Sequence, residues 1–222
     1  MTAPVQTLRL ADAREAADLA AFLGRLIHYD RAAAVRLQAG GGALAVFGRP
    51  PSFEVLAIRT ARLAEPVELD TTVSAGELLE SVEGSALAVP PAVTGPPWAG
   101  VLPPRGGWRE LPGLPAVDRM RGAVSAAVAE FRARDEALPV ERRTRAERDR
   151  IGREIWSRTL DDTGLPLRAV HAAQSLGFLR PTPESVPGAA LLAAGGWLRL
   201  RTPFGSIAVR RAGLGALNVT PA

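Results

Sequence analysis

Near the start of the chain the apolar positions recur at helical spacing. Leu19, Phe22, Leu23, Leu26 and Ile27 share one face of a segment running from about Asp12 to Tyr29. Asp12 and Glu15 supply a capping box at its beginning. Thr7 to Leu10, just ahead of it, reads as a short strand. The period then drops towards two. Ala34 to Gln38 alternates Val35 and Leu37 with Arg36, and Ala43 to Phe47 is apolar after the Gly40-Gly41-Gly42 turn. Phe53 to Leu63 sets Leu56 and Ile58 on one face and Arg59 on the other. Glu68 to Val73 predicts a fourth strand, and Ala75 to Val82 a short helix. Residues 1–88 therefore read as a mostly antiparallel sheet packed on a helix.

Residues 89–115 form a connecting segment of different composition, with 8 Pro and 5 Gly. Such a segment favours neither a helix nor a central strand. It also carries Trp98, Leu102, Trp108 and Leu111, which a solvated linker does not need. Helical patterns return over residues 116–222. Val117, Met120, Val124, Val128 and Phe131 mark one helix, and Ile151, Ile155 and Trp156 the buried face of a second, from about Thr144 to Arg158. Pro166 and Gly177 bracket a third. Ala189 to Ala194 reads as one or two helical turns. Trp197 to Arg211 then reads as a β-hairpin around Thr202-Pro203-Phe204-Gly205. Pairing Leu200 with Ile207 puts Leu198, Leu200, Ile207 and Val209 on one face and Trp197, Arg199, Arg201 and Arg210 on the other. A slip of one residue would mix the two sets. The expected fold is α+β: an N-terminal antiparallel sheet on a helix, then a helical region ending in a hairpin, in the order of a winged-helix module.

Composition narrows the chemistry. In 222 residues there is no Cys, only 2 His and only 1 Tyr. Thiolate nucleophiles, disulfides and Cys-ligated metals are excluded. All 27 basic residues are Arg, and the net charge is only +4. The charge is unevenly placed: residues 1–90 carry 8 Arg against 11 acids, whereas residues 163–222 carry 6 Arg against Glu184 alone. No signal peptide is visible, and the longest apolar stretch, Val186 to Leu198, is too short to span a bilayer. A cytoplasmic protein with no membrane role is the expectation.

Each candidate site has a plain structural counterpart. His171 has Gln174 and Ser175 at the positions where a helical metal site wants ligands, so a partly buried histidine is expected. His28 ends a helix, where it meets the dipole. Asp161-Asp162 reads as a turn, and Glu77, Glu80 and Glu83 as a solvated face. Neither Gly40-Gly41-Gly42 nor Gly213-Leu214-Gly215 has the context of a phosphate loop. The run Arg142, Arg143, Arg145, Arg148, Arg150 and Arg153 is interleaved with acids, including Arg150 and Glu154 at i, i+4, and reads as a salt-laced exposed helix. Two features remain as contact surfaces. Trp98 and Trp108 either meet a protein partner or wrap their own domain. The hairpin face of Trp197, Arg199, Arg201 and Arg210 suits nucleic acid if it is open.

Two resemblances accompany these patterns. The strand–helix–strand–strand–strand order of the first third is similar to one half-module of a DNA sliding clamp, without a second copy or a diagnostic motif, so no function follows from it. The phrases Gly-Arg-Pro-Pro at 48–51, Trp-Ala-Gly-Val-Leu-Pro-Pro-Arg-Gly-Gly-Trp at 98–108 and Gly-Gly-Trp-Leu-Arg-Leu-Arg-Thr-Pro-Phe-Gly-Ser at 195–206 resemble conserved hypothetical proteins of high-GC actinobacteria. That resemblance implies a bacterial cytoplasmic protein and no chemistry. The expectation is a non-catalytic regulatory or adaptor protein with a protein partner, without cofactor or metal, and with self-association open. The alternatives are a DNA-binding regulator and, last, an enzyme for a small ligand.

Overall fold

The computed structural model describes residues 6–96, 98, 102–183 and 185–211. In chain order the first half contains β1 (Thr7–Arg9), α1 (Ala13–Tyr29), β2 (Ala34–Gly40), β3 (Ala43–Gly48), β4 (Leu56–Arg62) and β5 (Leu69–Ser74). Then come α2 (Ala75–Glu80), β6 (Val82–Glu83) and β7 (Ala86–Ala88). The second half contains β8 (Arg109–Leu111), α3 (Val117–Glu136), α4 (Arg145–Trp156) and α5 (Leu167–Ser175). It ends in β9 (Ala190–Ala194), β10 (Trp197–Thr202) and β11 (Gly205–Arg210). The fold is α+β, as the patterns predict. No helix among the described residues is long and apolar enough to cross a membrane.

Local signals place the first elements. The Asp12 carboxylate accepts the Glu15 backbone N–H at 2.9 Å and starts α1. Leu19, Phe22, Leu23 and Leu26 bury its apolar face. Full burial of one such side chain contributes about 2 kcal/mol. Gly41, at φ +61°, turns the chain between β2 and β3.

Eight strands form one antiparallel sheet in the order β5-β2-β3-β4-β11-β10-β9-β8, and β1, β7 and β6 form a small second sheet. The seam of the large sheet is the β4–β11 pair, with Ser206 opposite Ile58, Ile207 opposite Ala57 and Ala208 opposite Leu56. Strands from both halves of the chain thus share one ladder. The hairpin forms in the expected register, Leu200 opposite Ile207. It is not a free wing, however. Its outer edges are paired with β9 on one side and β4 on the other, so it lies inside the sheet.

The inner face of the sheet, with Leu37, Val46, Ala57, Leu198, Leu200 and Ile207, packs on α1, α3 and α5 in one core. Here one expectation is corrected. Ala189 to Ala194 is not helical: Ala190–Ala194 is strand β9, with every residue buried. Its Ala and Leu residues have high helix propensity, but the five-residue run lies just ahead of the Gly195-Gly196 turn, and pairing on both sides overrides propensity. Leu56 and Ile58 share one face of β4 and Arg59 takes the other, as the alternation predicts; the structure adds that the face of Leu56 and Ile58 lies away from the main core, while Arg59 faces inward with Ala57 and Ala61. Both faces of this strand are covered, so alternation does not reveal which one meets the helices.

The outer face is covered in part by the connecting segment. The Val93 N–H donates to the Thr72 carbonyl at one edge of the sheet, and Arg109–Leu111 pairs with β9 at the opposite edge. The two anchor points are separated by seven inter-strand steps of roughly 4.8 Å each, so the segment acts as a strap across the sheet. Its Trp98, Leu102 and Trp108 lie on Phe47, Leu56, Ile58, Trp197 and Ala208. These apolar residues of the proline-rich segment therefore serve the fold's own second core.

Candidate functional site

The strap leaves part of the outer face open. Beside it runs a groove of about 630 Å³, within the range that holds small ligands or short peptide segments. Its floor is Ala43, Ala45, Phe47 and Ile58 from β3 and β4. Pro103, Pro104 and Arg105 of the strap form one wall. Gln38, Glu68 and Asp70 stand at the β2–β5 end, and Arg199 of β10 reaches in from the other side. The indole N–H of Trp108 donates to the Pro104 carbonyl at 3.0 Å and closes the strap into a turn beside the groove.

The charges around the groove are compensated unequally. Asp70 is held by the Arg36 guanidinium at 2.7 Å and by the Gln38 amide at 3.3 Å. Glu68 is exposed and lies over Gly40. Arg199 is half-buried, and its Nε is fully buried without a hydrogen-bond partner. Its guanidinium stands 5.7 Å from the centre of the Trp108 ring. Burial, and secondly the charge of Arg201, lower its pKa. Burial thus works against the Arg199 charge, which has no carboxylate beside it among the described residues of the groove wall.

The sequence-selected residues fall into this region but not as an open patch. Trp98 is 9% exposed and Trp197 8% exposed, both inside the outer-face core. Trp108 is half-buried. Arg210 lies over the Trp197 ring at 4.7 Å, and Arg201 approaches Glu110 at 3.9 Å. The structure brings Trp108, Arg199 and the strap together. Gln38, Glu68, Asp70 and Arg105 are the groove residues that sequence reading did not single out. Arg105 does lie within the Pro-Pro-Arg-Gly-Gly-Trp phrase, between the two tryptophans.

The remaining candidates take structural places. The His171 ring stacks on Trp156 at 4.3 Å and meets Phe53 edge-on at 5.1 Å. Asp161 pairs with Arg119 at 3.1 Å. No group of three or more His, Cys, Asp or Glu suited to a metal ion occurs among the described residues. The arginine-rich helix α4 is laced with acids: Glu147 binds Arg142 and Arg150, and Glu154 binds Arg150 at 3.7 Å. Its acids also reach α3, with Arg134 on Glu154 at 2.7 Å, and Arg158 just beyond α4 meets Glu130 at 2.6 Å. The Arg134 contact holds Glu154 down to about 2.

Burial holds the His171 imidazole below its ordinary value of 6.5. The neutral ring is favoured in the folded state, so its contribution to stability is complete above pH 6.5 and is lost as pH falls through the lower folded value. Thermal stability between about pH 7 and 5 should therefore fall less steeply in His171→Gln than in the parent chain. Parallel pH profiles would remove this role.

The comparisons with known proteins divide the chain within the strap. Residues 3–100 match a family described as Domain of unknown function (DUF8010). Residues 103–214, half of the chain, match Domain of unknown function (DUF8185). The chain belongs to the DUF8185 family. No curated protein matches it. The DUF8185 segment supplies β8 to β11 and the three long helices that follow β8, and the DUF8010 match supplies α1 and strands β2 to β5. The groove takes its floor from the DUF8010 segment and Arg105 and Arg199 from the DUF8185 segment.

Proposed function

We propose that this is a non-catalytic regulatory or adaptor protein, working in the cytoplasm of a high-GC bacterium through protein–protein contacts at the strap-walled groove. One observation carries the reading: an apolar floor lies between a partly buried, unpaired arginine at one end and carboxylates at the other. Such a surface selects a partner by shape and charge. Its described lining includes no histidine and no nucleophile paired with a base. Trp98 and Trp108 serve this reading as the anchors that hold the strap in place.

The test is site-specific photo-crosslinking in cells. A photoreactive residue at Ala43, on the groove floor, should capture a discrete protein, whereas the same residue at Arg153 on α4 should not. No product at Ala43, or equal labelling at both positions, would count against the reading. Exposed Arg201 and Arg210 favour DNA binding as the second reading. A gel shift that falls steeply with salt and weakens in Arg201→Ala would put it first.

A further inference from the structure

We propose that the groove recognises the free carboxyl terminus of a short apolar peptide segment, with the terminal carboxylate between Arg199 and Arg105. This rests on the adaptor reading in taking the groove as the surface that meets a partner.

Three observations lead here. The first is the unused donor set. Arg199 and Arg105 both line the groove, and neither is paired with a carboxylate among the described residues. The Arg199 Nε has no acceptor at all. The two Nη groups of a guanidinium match the two oxygens of a carboxylate.

The second is the charge at the far end. Glu68 is exposed and unpaired, and Asp70 stands beside it. With Asp70 already held by Arg36, the uncompensated charge at this end is that of Glu68, and it disfavours a polyanion there. It suits a ligand with one negative charge at one end and a cationic residue several positions away. This separation of charge argues for a peptide end over a nucleic acid.

The third is length. From β10 to β5 the sheet takes five inter-strand steps, roughly 24 Å. About five extended residues span roughly 17 Å, and the reach of the Arg199 and Glu68 side chains covers the remainder. Phe47, Ile58 and Ala45 lie between and receive apolar side chains.

The probe is acetyl-Lys-Ala-Leu-Ala-Leu with a free carboxyl terminus, titrated calorimetrically into the full chain. Its C-terminal amide should bind about tenfold more weakly, the usual scale for losing a charge-assisted hydrogen-bond pair. Arg199→Gln should weaken the acid form by a similar factor and leave the amide nearly unchanged. Arg105→Gln, on the exposed strap, repeats the test without touching the core. Replacing the probe's Lys by Glu should weaken binding several-fold, and Glu68→Gln should remove that preference.

Equal binding of acid and amide, or no effect of either arginine variant, would overturn the proposal. So would the absence of any binding at millimolar peptide, or inorganic phosphate binding as tightly as the peptide. Acid and amide binding equally well at the groove would leave the adaptor reading standing. Carboxylate-dependent peptide binding without any crosslink at Ala43 would instead remove the adaptor reading and keep this one.

Discussion

Gly205→Val should lower the thermal unfolding midpoint by about 5–20 °C. Gly205 closes the turn between β10 and β11 with φ +153°, a conformation that side-chain-bearing residues rarely adopt. A Cβ there would lie 2.5 Å from Cε1 and Cζ of Phe178. That ring cannot easily move away. Phe178 is 2% exposed and stacks on Phe22 of α1, with ring centres 5.7 Å apart. Overpacking and backbone strain each cost about 1–3 kcal/mol, so the sum is roughly 2–6 kcal/mol. At this chain length each kcal/mol shifts the midpoint by roughly 2–4 °C. Gly195→Ala is the control: φ is +51° there too, but nothing lies within 4 Å of the added carbon. Its loss should be about 1 kcal/mol. A Gly205→Val midpoint equal to that of Gly195→Ala would show that Phe178 yields.

Arg59→Leu should cost about 2–4 kcal/mol, read from chemical denaturation. The Arg59 side chain is 6% exposed on the inner face of β4. Its Nη2 binds Glu15 at 3.1 Å and Asp18 at 3.4 Å, and its Nη1 donates to the Pro203 carbonyl at 3.4 Å. One guanidinium thus ties α1, the centre of the sheet and the hairpin turn. Removing it strands two largely buried carboxylates, and breaking a buried pair in this way costs about 3–5 kcal/mol. Partial compensation by Arg62 on Glu15 and Arg180 on Asp18 reduces that. Adding Glu15→Gln and Asp18→Asn to Arg59→Leu should recover much of the loss, because no unpaired charge is then left buried. A triple variant no more stable than Arg59→Leu alone would assign the loss to packing. Arg62→Ala, at 70% side-chain exposure, should have a far smaller effect on the denaturation midpoint.

These two residues also show where sequence reading reaches and where it stops. The α1 helix was legible because its cap, Asp12 with Glu15, and its apolar stripe are local and agree. The hairpin register was legible because two alternating strands meet across a short turn. Arg59 was not, since an arginine in an alternating strand reads as solvent-facing until the strap is known to cover the other side. The β4–β11 seam joins residues far apart in the chain, Ile58 with Ser206, and leaves no local signature. Of the groove, Arg199 was marked in the sequence by its unbalanced surroundings, and Trp108 beside it by its type. Glu68 and Gln38 were not, because only tertiary pairing carries their strands to the same face as the strap.

The seam has a consequence for inheritance. The boundary between the two matched families falls at residues 100–103, yet β4 belongs to one match and β11 to the other. Neither portion completes its own ladder. Split into separate genes, each product would expose an interior strand edge with amide and carbonyl groups unmet, and the natural cure is the other product. In this chain the two matched segments complete one sheet, so a fission event here would leave each product with an edge that the other product's strand fits.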